Sequence, residues 1–534
     1  MPHYPHSYLF VGPTQTVDIA GPHIQVLENA SGAVLTSTTA FSDEQKTDLL
    51  KSGPVRCAAV DREFRYLITS GEDKILKVWQ LDGLKLLSER ELPKKPTLVG
   101  FTADAQTILV SDKFGDVFSY PFTYVPLTVK QQKDALSSHE NPSGGQLILG
   151  HASPLNAFLL TPDEKYIITA DRDEHVRVSW YPKGYNIEMY CMGHLKFVSA
   201  IHIPTFDSST LISGGGDPVL KIWDWMTGTV KHEIEVLETA VPFIAVRTLK
   251  RKRGSDDGEA PEGGKFRRKK GSGKKQEADK ELMEAGEDEN VNEASGETKP
   301  EKVLVIRRIQ SVNSDSGPHI VFSAVGTTAI FAFPFKADVT ADDIKSFDFA
   351  RPVLDFSVVD GKTIVASLDG EWVSEEGGMA EAKDNNTVKF LKISGDQLVE
   401  STDSLTTLVL SLNSSLLIPA TAEDVKKLDL YSELISMPKY GSDGDVEGEG
   451  DGLPPSNTAL PIGAPELSSS ETAKGRKGKG KIELSKKELG RIKTKQAVLA
   501  KTQEMEVDGE TKKEEDEEPE TKRARSEVDG MTGA

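Results

Sequence analysis

The sequence predicts an all-β chain folded as a seven-bladed β-propeller. Three observations carry this: four gap-free segments of one pattern, Gly-His pairs ahead of two of them, and a Trp-Asp dipeptide closing another. A long charged insertion and a charged tail are expected to be disordered additions to that body.

The four segments are LITSGEDKILKVW (67–79), ILVSDKFGDVFSY (108–120), IITADRDEHVRVS (167–179) and LISGGGDPVLKIW (211–223). Each opens with an apolar, mostly β-branched run. Small residues, a polar turn and a second run of alternating apolar and polar residues follow. That is a β-hairpin with a buried face. Asp73, Asp173 and Asp217 stand at matching turn positions, where a carboxylate accepts backbone N–H bonds within a tight turn.

Gly150-His151 and Gly193-His194 precede two of the hairpins, and Trp223-Asp224 ends the last. Gly-His, hairpin, Trp-Asp at a period of about 40–45 residues is the WD-repeat signature. Its basis is a hydrogen-bond series within one blade: His194, Ser213, Asp217 and Trp223 are placed to bond in sequence. His151 with Asp173, and Asp73 with Trp79, hold the same places in their own blades. A metal or acid–base role for His151 or His194 is the alternative; their repeat positions favour the structural one. The run Gly214–Gly216 leads into a strand, VLKIWDW, rather than a helix, so it is read as a blade turn and not a phosphate cradle.

Seven such units can be placed. The first covers about 7–37, the next four lie across 54–236, and two degenerate ones follow at 303–335 and 352–393. Propellers commonly close by pairing strands from both chain ends, which would put SYLFVG (7–12) into the last blade. The expected organisation is blades one to five over 1–248, an insertion over 249–300, blades six and seven with closure over 301–440, and a tail over 441–534.

The insertion is almost free of apolar residues and cannot bury a core. In the tail, the acidic stretch from Asp443 partly imitates a calcium loop, but Pro454 stands where a bidentate Glu is required, which excludes calcium. Residues 483–501 read as a solvated basic helix. Basic clusters at 250–253, 267–270 and 522–525 resemble nuclear import signals, so the nucleus is the expected location.

Composition agrees with a folded body carrying polar additions. The chain has 534 residues, 37% hydrophobic and 28% charged, with a net charge of −20. The acids cluster in the polar segments, so this average does not argue against RNA contact by the body. Cys57 and Cys191 are far apart and outside any CxxC pair, so neither a disulfide framework nor a zinc site is expected, and both are read as small core residues. The N-terminus lacks a basic n-region and an apolar run, and no stretch approaches the roughly 18–20 apolar residues of a membrane span. A soluble, intracellular protein is expected. There is no G-x-S-x-G elbow, P-loop, H-E-x-x-H or Cys/His cluster. No catalytic residue, cofactor or metal is therefore assigned, and the folded part is expected to hold no substantial helix.

Blade four narrows the reading. It runs ADRDEHVRVSWYPKGYNIEMYCMGHLKFVSAI (170–201). A generic blade needs the Asp, the alternation and the Gly-His. It does not need Arg172, Glu174, Arg177, Ser179 in place of the usual Trp, or the Tyr-x-Ile-Glu before the Gly-His. This string resembles the WD-repeat, non-catalytic subunit of the eukaryotic tRNA (guanine-N7-)-methyltransferase. SDKFGDVFSY (111–120) resembles that family's D-K-x-G-D-V-[FY] run, and Lys94-Lys95-Pro96 stands where the family has a basic pair. The resemblance extends over about 55–228.

The resemblance implies a non-catalytic scaffold. It would bind and stabilise a separate S-adenosylmethionine-dependent methyltransferase and help position tRNA for N7-methylation of a variable-loop guanine. Arg172, Glu174, Arg177 and Lys221 would then contact the catalytic subunit, with Arg177 suited to bidentate pairing with a carboxylate. An alternative for Arg177 is to cap a neighbouring strand within the propeller. Lys94, Lys95 and Lys113 would face tRNA. The competing readings are a WD-repeat adaptor in another nuclear complex, for ribosome assembly or chromatin, and a propeller enzyme with a site at its channel mouth.

Overall fold

The computed structural model describes residues 2–128, 130–131, 141–247, 302–372, 386–401 and 406–438. The expectations for the insertion and the tail, including the calcium-loop imitation, the basic helix and the three import-like clusters, fall outside these residues.

The strands form seven four-stranded antiparallel sheets, each built from consecutive strands. Blade one comprises His6–Val11, Gln15–Ala20, His23–Glu28 and Val34–Ser37. Blade two comprises Cys57–Val60, Tyr66–Ser70, Ile75–Gln80 and Lys85–Glu91; blade three, Pro96–Phe101, Thr107–Asp112, Asp116–Pro121 and Gln146–Gly150. Blade four comprises Leu155–Leu160, Tyr166–Asp171, Val176–Trp180 and Ile187–Cys191; blade five, Val198–His202, Thr210–Gly215, Val219–Asp224 and Thr229–Glu235. Blade six comprises Ile306–Ser314, Gly317–Ala324, Ala329–Pro334 and Lys345–Asp348; blade seven, Val353–Val359, Thr363–Leu368, Val388–Ser394 and Gln397–Glu400. The seven-bladed all-β architecture read from the sequence is borne out.

Burial explains which strands the sequence displays. Second strands are covered on both faces, as in Thr210–Gly215, where every residue is buried. Their apolar runs follow from that. Outer strands lie at the rim: Lys85–Glu91 and Thr229–Glu235 are mostly exposed and carry little pattern. The outer strands of blades six and seven lie beyond the segments read for those blades. Neighbouring blades pack face to face: Ile212, Leu220 and Ile222 of blade five share one core with Ile306, Phe322 and Phe331 of blade six. A register shift recurs at the head of the innermost strand in blades one, three, four, five, six and seven. A bulge there increases local twist, which a propeller blade needs close to the axis.

Closure differs from the expectation. Tyr8–Val11 pairs with Thr16–Ile19 as the innermost strand of blade one, and among the described residues no sheet combines strands of blade one with strands of blade seven. The seam between blades seven and one is filled by the helix Thr406–Leu412. Leu408, Leu412 and Leu416 pack there against Leu9 and Leu27 of blade one and Val388 and Phe390 of blade seven. Asn413 fastens it, its Oδ1 accepting from Thr387 N at 2.7 Å and Val388 N at 2.9 Å. Buried His6 completes the seam, with Nδ1 2.7 Å from Asp18 Oδ1 and Nε2 3.2 Å from the Leu412 carbonyl.

Helices are thus present, against the expectation. Asp43–Lys51 forms between blades one and two, with Ser42 and Gln45 making a reciprocal capping box. Among the described residues, no helix is long and apolar enough to cross a membrane. The run Gly214–Gly216 is not a free turn either. Gly215 ends the second strand, where an added Cβ would sit 1.9 Å from the Phe197 carbonyl oxygen.

Candidate partner and RNA interface

The direction of the strands assigns the loops to faces. Each innermost strand starts at one face, here the upper one, and the second strand returns to it. The turns between second and third strands therefore share the upper face with the loops from each outer strand to the next blade. Lys94, Lys95, Lys113, Arg172 and Glu174 all fall on these loops.

Beneath this face lie the blade networks. In blade five, His194 Nδ1 is 2.5 Å from Asp217 Oδ2 and Nε2 is 2.7 Å from Ser213 Oγ. The Trp223 indole N–H donates to the same Oγ at 2.7 Å. A neutral imidazole satisfies the series: Nδ1–H donates to Asp217, and the Ser213 hydroxyl donates to Nε2. In blade four, His151 Nδ1 is 2.8 Å from Asp171 Oδ2 and Nε2 is 2.8 Å from Thr169 Oγ1. The carboxylate there is Asp171, not Asp173 two residues later, whose backbone N–H donates to Asp171 at 2.8 Å. Burial pushes the His151 imidazole below its ordinary pKa despite the neighbouring Asp171. Blade two keeps half of the network: the Trp79 indole donates to Thr69 Oγ1 at 3.0 Å, and Asp73 accepts from Ile75 N at 3.1 Å. These histidines are thus engaged within blades. Among the described residues, no group of three or more His, Cys, Asp or Glu is arranged to hold a metal ion. Cys57 and Cys191 are buried and unbridged, and burial pushes each thiol up to about 12.

The interface candidates divide. Arg177 is 7% exposed, and its Nη1 donates to the carbonyl of Gly150, the last residue of blade three, at 3.0 Å. It caps a neighbouring strand and presents no charge outward. Lys221 is buried likewise and ion-pairs with Glu233 on the adjoining outer strand. Both follow from one repeat position, shared with Lys77, whose side chain points into the blade rim. Arg172 is half-buried. Its Nε donates to Met437 O at 3.0 Å and its Nη2 to Pro438 O at 2.8 Å. Glu174 sits at the tip of the blade-four turn with φ +69°. Beside it, His175 meets Tyr190 edge-on at 6.4 Å between ring centres. Apolar side chains that the motif did not single out complete this rim: Tyr190, Met192 at 60% exposure and Leu195 at 85%.

The partners of Arg172 belong to a strap that sequence reading missed. Residues 418–438 cross the upper face. Ile418 and Leu428 pack with Ala20 of blade one and with Tyr4 just ahead of it. Arg56, leading into blade two, donates Nη2–H to Lys427 O at 2.9 Å. The Tyr431 hydroxyl donates to Asp369 Oδ2 of blade seven at 2.7 Å, and Glu433 lies 3.5 Å from Arg307 of blade six. Leu434 packs against Phe197, Val305 and Val325. The strap lies where a channel-mouth active site would open. Its only sequence trace is a Thr421-x-x-Asp424 helix cap and a few spaced leucines.

The three lysines gather at blades two and three. Lys95 ion-pairs with Glu72, which Arg56 also holds at 2.6 Å. Lys94 Nζ lies 4.9 Å and Lys113 Nζ 5.5 Å from the centre of the Phe114 ring.

Comparison with known proteins decides the family. The family described as "tRNA methyltransferase TRM82 WD40 domain" matches this chain over residues 38–145 and 128–394, which together run from before blade two to the third strand of blade seven. The chain belongs to this family. Among curated relatives, the non-catalytic subunit trm82 of tRNA (guanine-N(7)-)-methyltransferase from Aspergillus oryzae is 36% identical over 244 residues, covering 36% of this chain and 50% of its own. That from Meyerozyma guilliermondii is 28% identical over 327 residues, covering 59% and 65%. That from Kluyveromyces lactis is 26% identical over 414 residues, covering 73% and 80%. The chain spans about half the length of the Aspergillus relatives. The family match covers the blade-four string (170–201) and reaches the degenerate blades six and seven, which motif reading supported least.

Proposed function

We propose that this chain is the non-catalytic scaffold of a tRNA guanine-N7 methyltransferase: it binds and stabilises an S-adenosylmethionine-dependent catalytic subunit and helps present tRNA to it. The observation that carries the reading is the family match across the propeller, joined to the blade-four string. The docking surface proposed is the upper rim of blades four and five. There Glu174 and His175 border the exposed Tyr190, Met192 and Leu195, while Arg177 and Lys221 stiffen the blades from inside. Docking would remove Leu195 and Met192 from water. Full burial of one such side chain is worth about 1.5–3 kcal/mol, and a central apolar anchor with a polar border is the usual make-up of an interface. The chain supplies no methyl-donor site in this reading. The nucleus is its proposed place of work, on the strength of the basic clusters at 250–253, 267–270 and 522–525.

The test is capture of the full chain from its own cell extract, followed by a tRNA methylation assay on the eluate. Guanine-N7 methylation of tRNA by the eluate, absent from the chain alone, is the expected result. An eluate with other partners and no such activity would refute the scaffold role.

A further inference from the structure

The turn between the second and third strands of blade three departs from its counterparts. Where blades two, four and five carry Asp73, Asp173 and Asp217, this turn carries Phe114. The fold does not need an aromatic ring there. Asp112 already organises the turn, accepting from Phe114 N at 2.8 Å and Asp116 N at 3.2 Å. The ring belongs to none of the hydrophobic clusters around it and is 54% exposed. Two ammonium groups lie against it, Lys94 at 4.9 Å and Lys113 at 5.5 Å. Among the described residues, neither lysine is engaged in an ion pair, whereas Lys95 is held by Glu72. The strap contacts given above fall on the other six blades, so among the described residues the strap leaves this sector of the upper face uncovered.

We infer that Phe114, with Lys94 and Lys113, is a stacking platform for an unpaired RNA nucleotide. An exposed ring flanked by cations offers a base a π-face and its phosphates two charges. Single-stranded nucleic acids are held by that combination, and base–aromatic stacking tolerates any base. A duplex could use only the lysines, because its bases are stacked on one another. The inference rests on the tRNA-presenting role proposed above and specifies the part of the RNA that this chain touches. An incoming base displaces one ammonium from the ring face, and that ammonium turns to the adjoining phosphate.

The test compares binding of two probes to the full chain: a short fluorescent oligoadenylate and a short blunt RNA duplex. Phe114→Ala should weaken oligoadenylate binding about tenfold and leave duplex binding and the unfolding midpoint unchanged. Phe114→Trp should restore affinity, with indole fluorescence quenched as oligoadenylate is added. Lys94→Ala with Lys113→Ala should weaken both probes and reduce the salt dependence of binding. Equal oligoadenylate affinity for parent and Phe114→Ala overturns the inference. So does an equal loss on both probes, or no binding of oligoadenylate by the parent. The scaffold role is read separately from methylation by the captured complex. An active complex whose oligoadenylate binding ignores Phe114 removes this inference alone.

Discussion

Asp217→Ala isolates what the blade network contributes. Asp217 is 2% exposed and accepts the His194 Nδ1–H at 2.5 Å and the Leu195 N–H at 3.2 Å. Truncation strands the imidazole donor, whose side chain is wholly buried. The Leu195 amide belongs to an exposed residue and can turn to water. One buried donor left unsatisfied costs about 1–3 kcal/mol, and a lost bond to a charged acceptor lies at the upper end of that scale. A loss of about 3 kcal/mol is expected, roughly a hundredfold in the folding constant. Urea unfolding followed by tryptophan fluorescence measures it, because Trp223 donates into the same series. Blade four supplies the control. Asp171→Ala should cost a similar amount, since Asp171 accepts from His151 and from the Asp173 and His175 amides. Asp173→Ala should cost less than Asp171→Ala, because Asp173 is only half-buried whereas Asp171 is buried. A parent-like midpoint for Asp217→Ala, or Asp173→Ala as damaging as Asp171→Ala, would refute the assignment of these carboxylates.

Three further outcomes follow from the geometry. Arg177→Glu should unfold at markedly lower urea, by about 3–5 kcal/mol, because it buries a carboxylate against the Gly150 carbonyl; a stable variant would mean that Arg177 faces outward after all. Leu195→Asp should leave the unfolding midpoint unchanged and lower recovery of tRNA methylation activity in capture experiments at least about tenfold, the loss of one apolar anchor; full recovery would move the docking surface elsewhere. His6 should make the seam pH-sensitive: burial pushes its imidazole down, but the Asp18 carboxylate and the Leu412 carbonyl together raise it above 6.5. A raised folded pKa means this stabilisation is complete below the unfolded value and is lost as pH climbs through the folded one. Urea midpoints measured from pH 6 upward should therefore fall in the parent relative to His6→Gln, and parallel profiles would refute the linkage.

The parts of the fold legible in the sequence were those buried on both sides. Leu67, Ile167 and Leu211 occupy one repeat position and are each wholly buried, so the alignment found them. Rim strands such as Lys345–Asp348 face water and leave no such trace. Asp171 was missed for a different reason. Gap-free alignment matched residues by number, whereas a carboxylate two residues earlier reaches the same histidine from the other side of the turn. In sequence the charges of Arg177 and Lys221 point to an interface, with strand capping the alternative for Arg177. Their long stems in fact lie along the blade, with the charge matched by a carbonyl or by Glu233. The strap was invisible because its contacts are with residues far away in the chain, from Arg56 to Asp369, and several use backbone carbonyls, which carry no side-chain signature. The blade-four rim shows the converse: Tyr190, Met192 and Leu195 look like ordinary apolar residues in sequence, and only their exposure marks them.

Ring closure by helix and strap has a consequence for how this molecule is made. In a propeller whose ends share a sheet, the last strand is itself the fastener. Here a nascent chain that has emerged as far as Ser401 already holds all four strands of every blade and the direct contact of blade seven with blade one, where Ser357 Oγ donates to the Leu9 carbonyl at 3.1 Å, yet the seam still lacks the leucines that cover it. Leu9, Leu27, Val388 and Phe390 wait for Leu408, Leu412 and Leu416 to arrive. The apolar cover of the seam therefore comes from a segment that follows the final blade, not from the final blade itself. How readily Leu408, Leu412 and Leu416 part from Leu9, Leu27, Val388 and Phe390 is a local opening that amide exchange would detect.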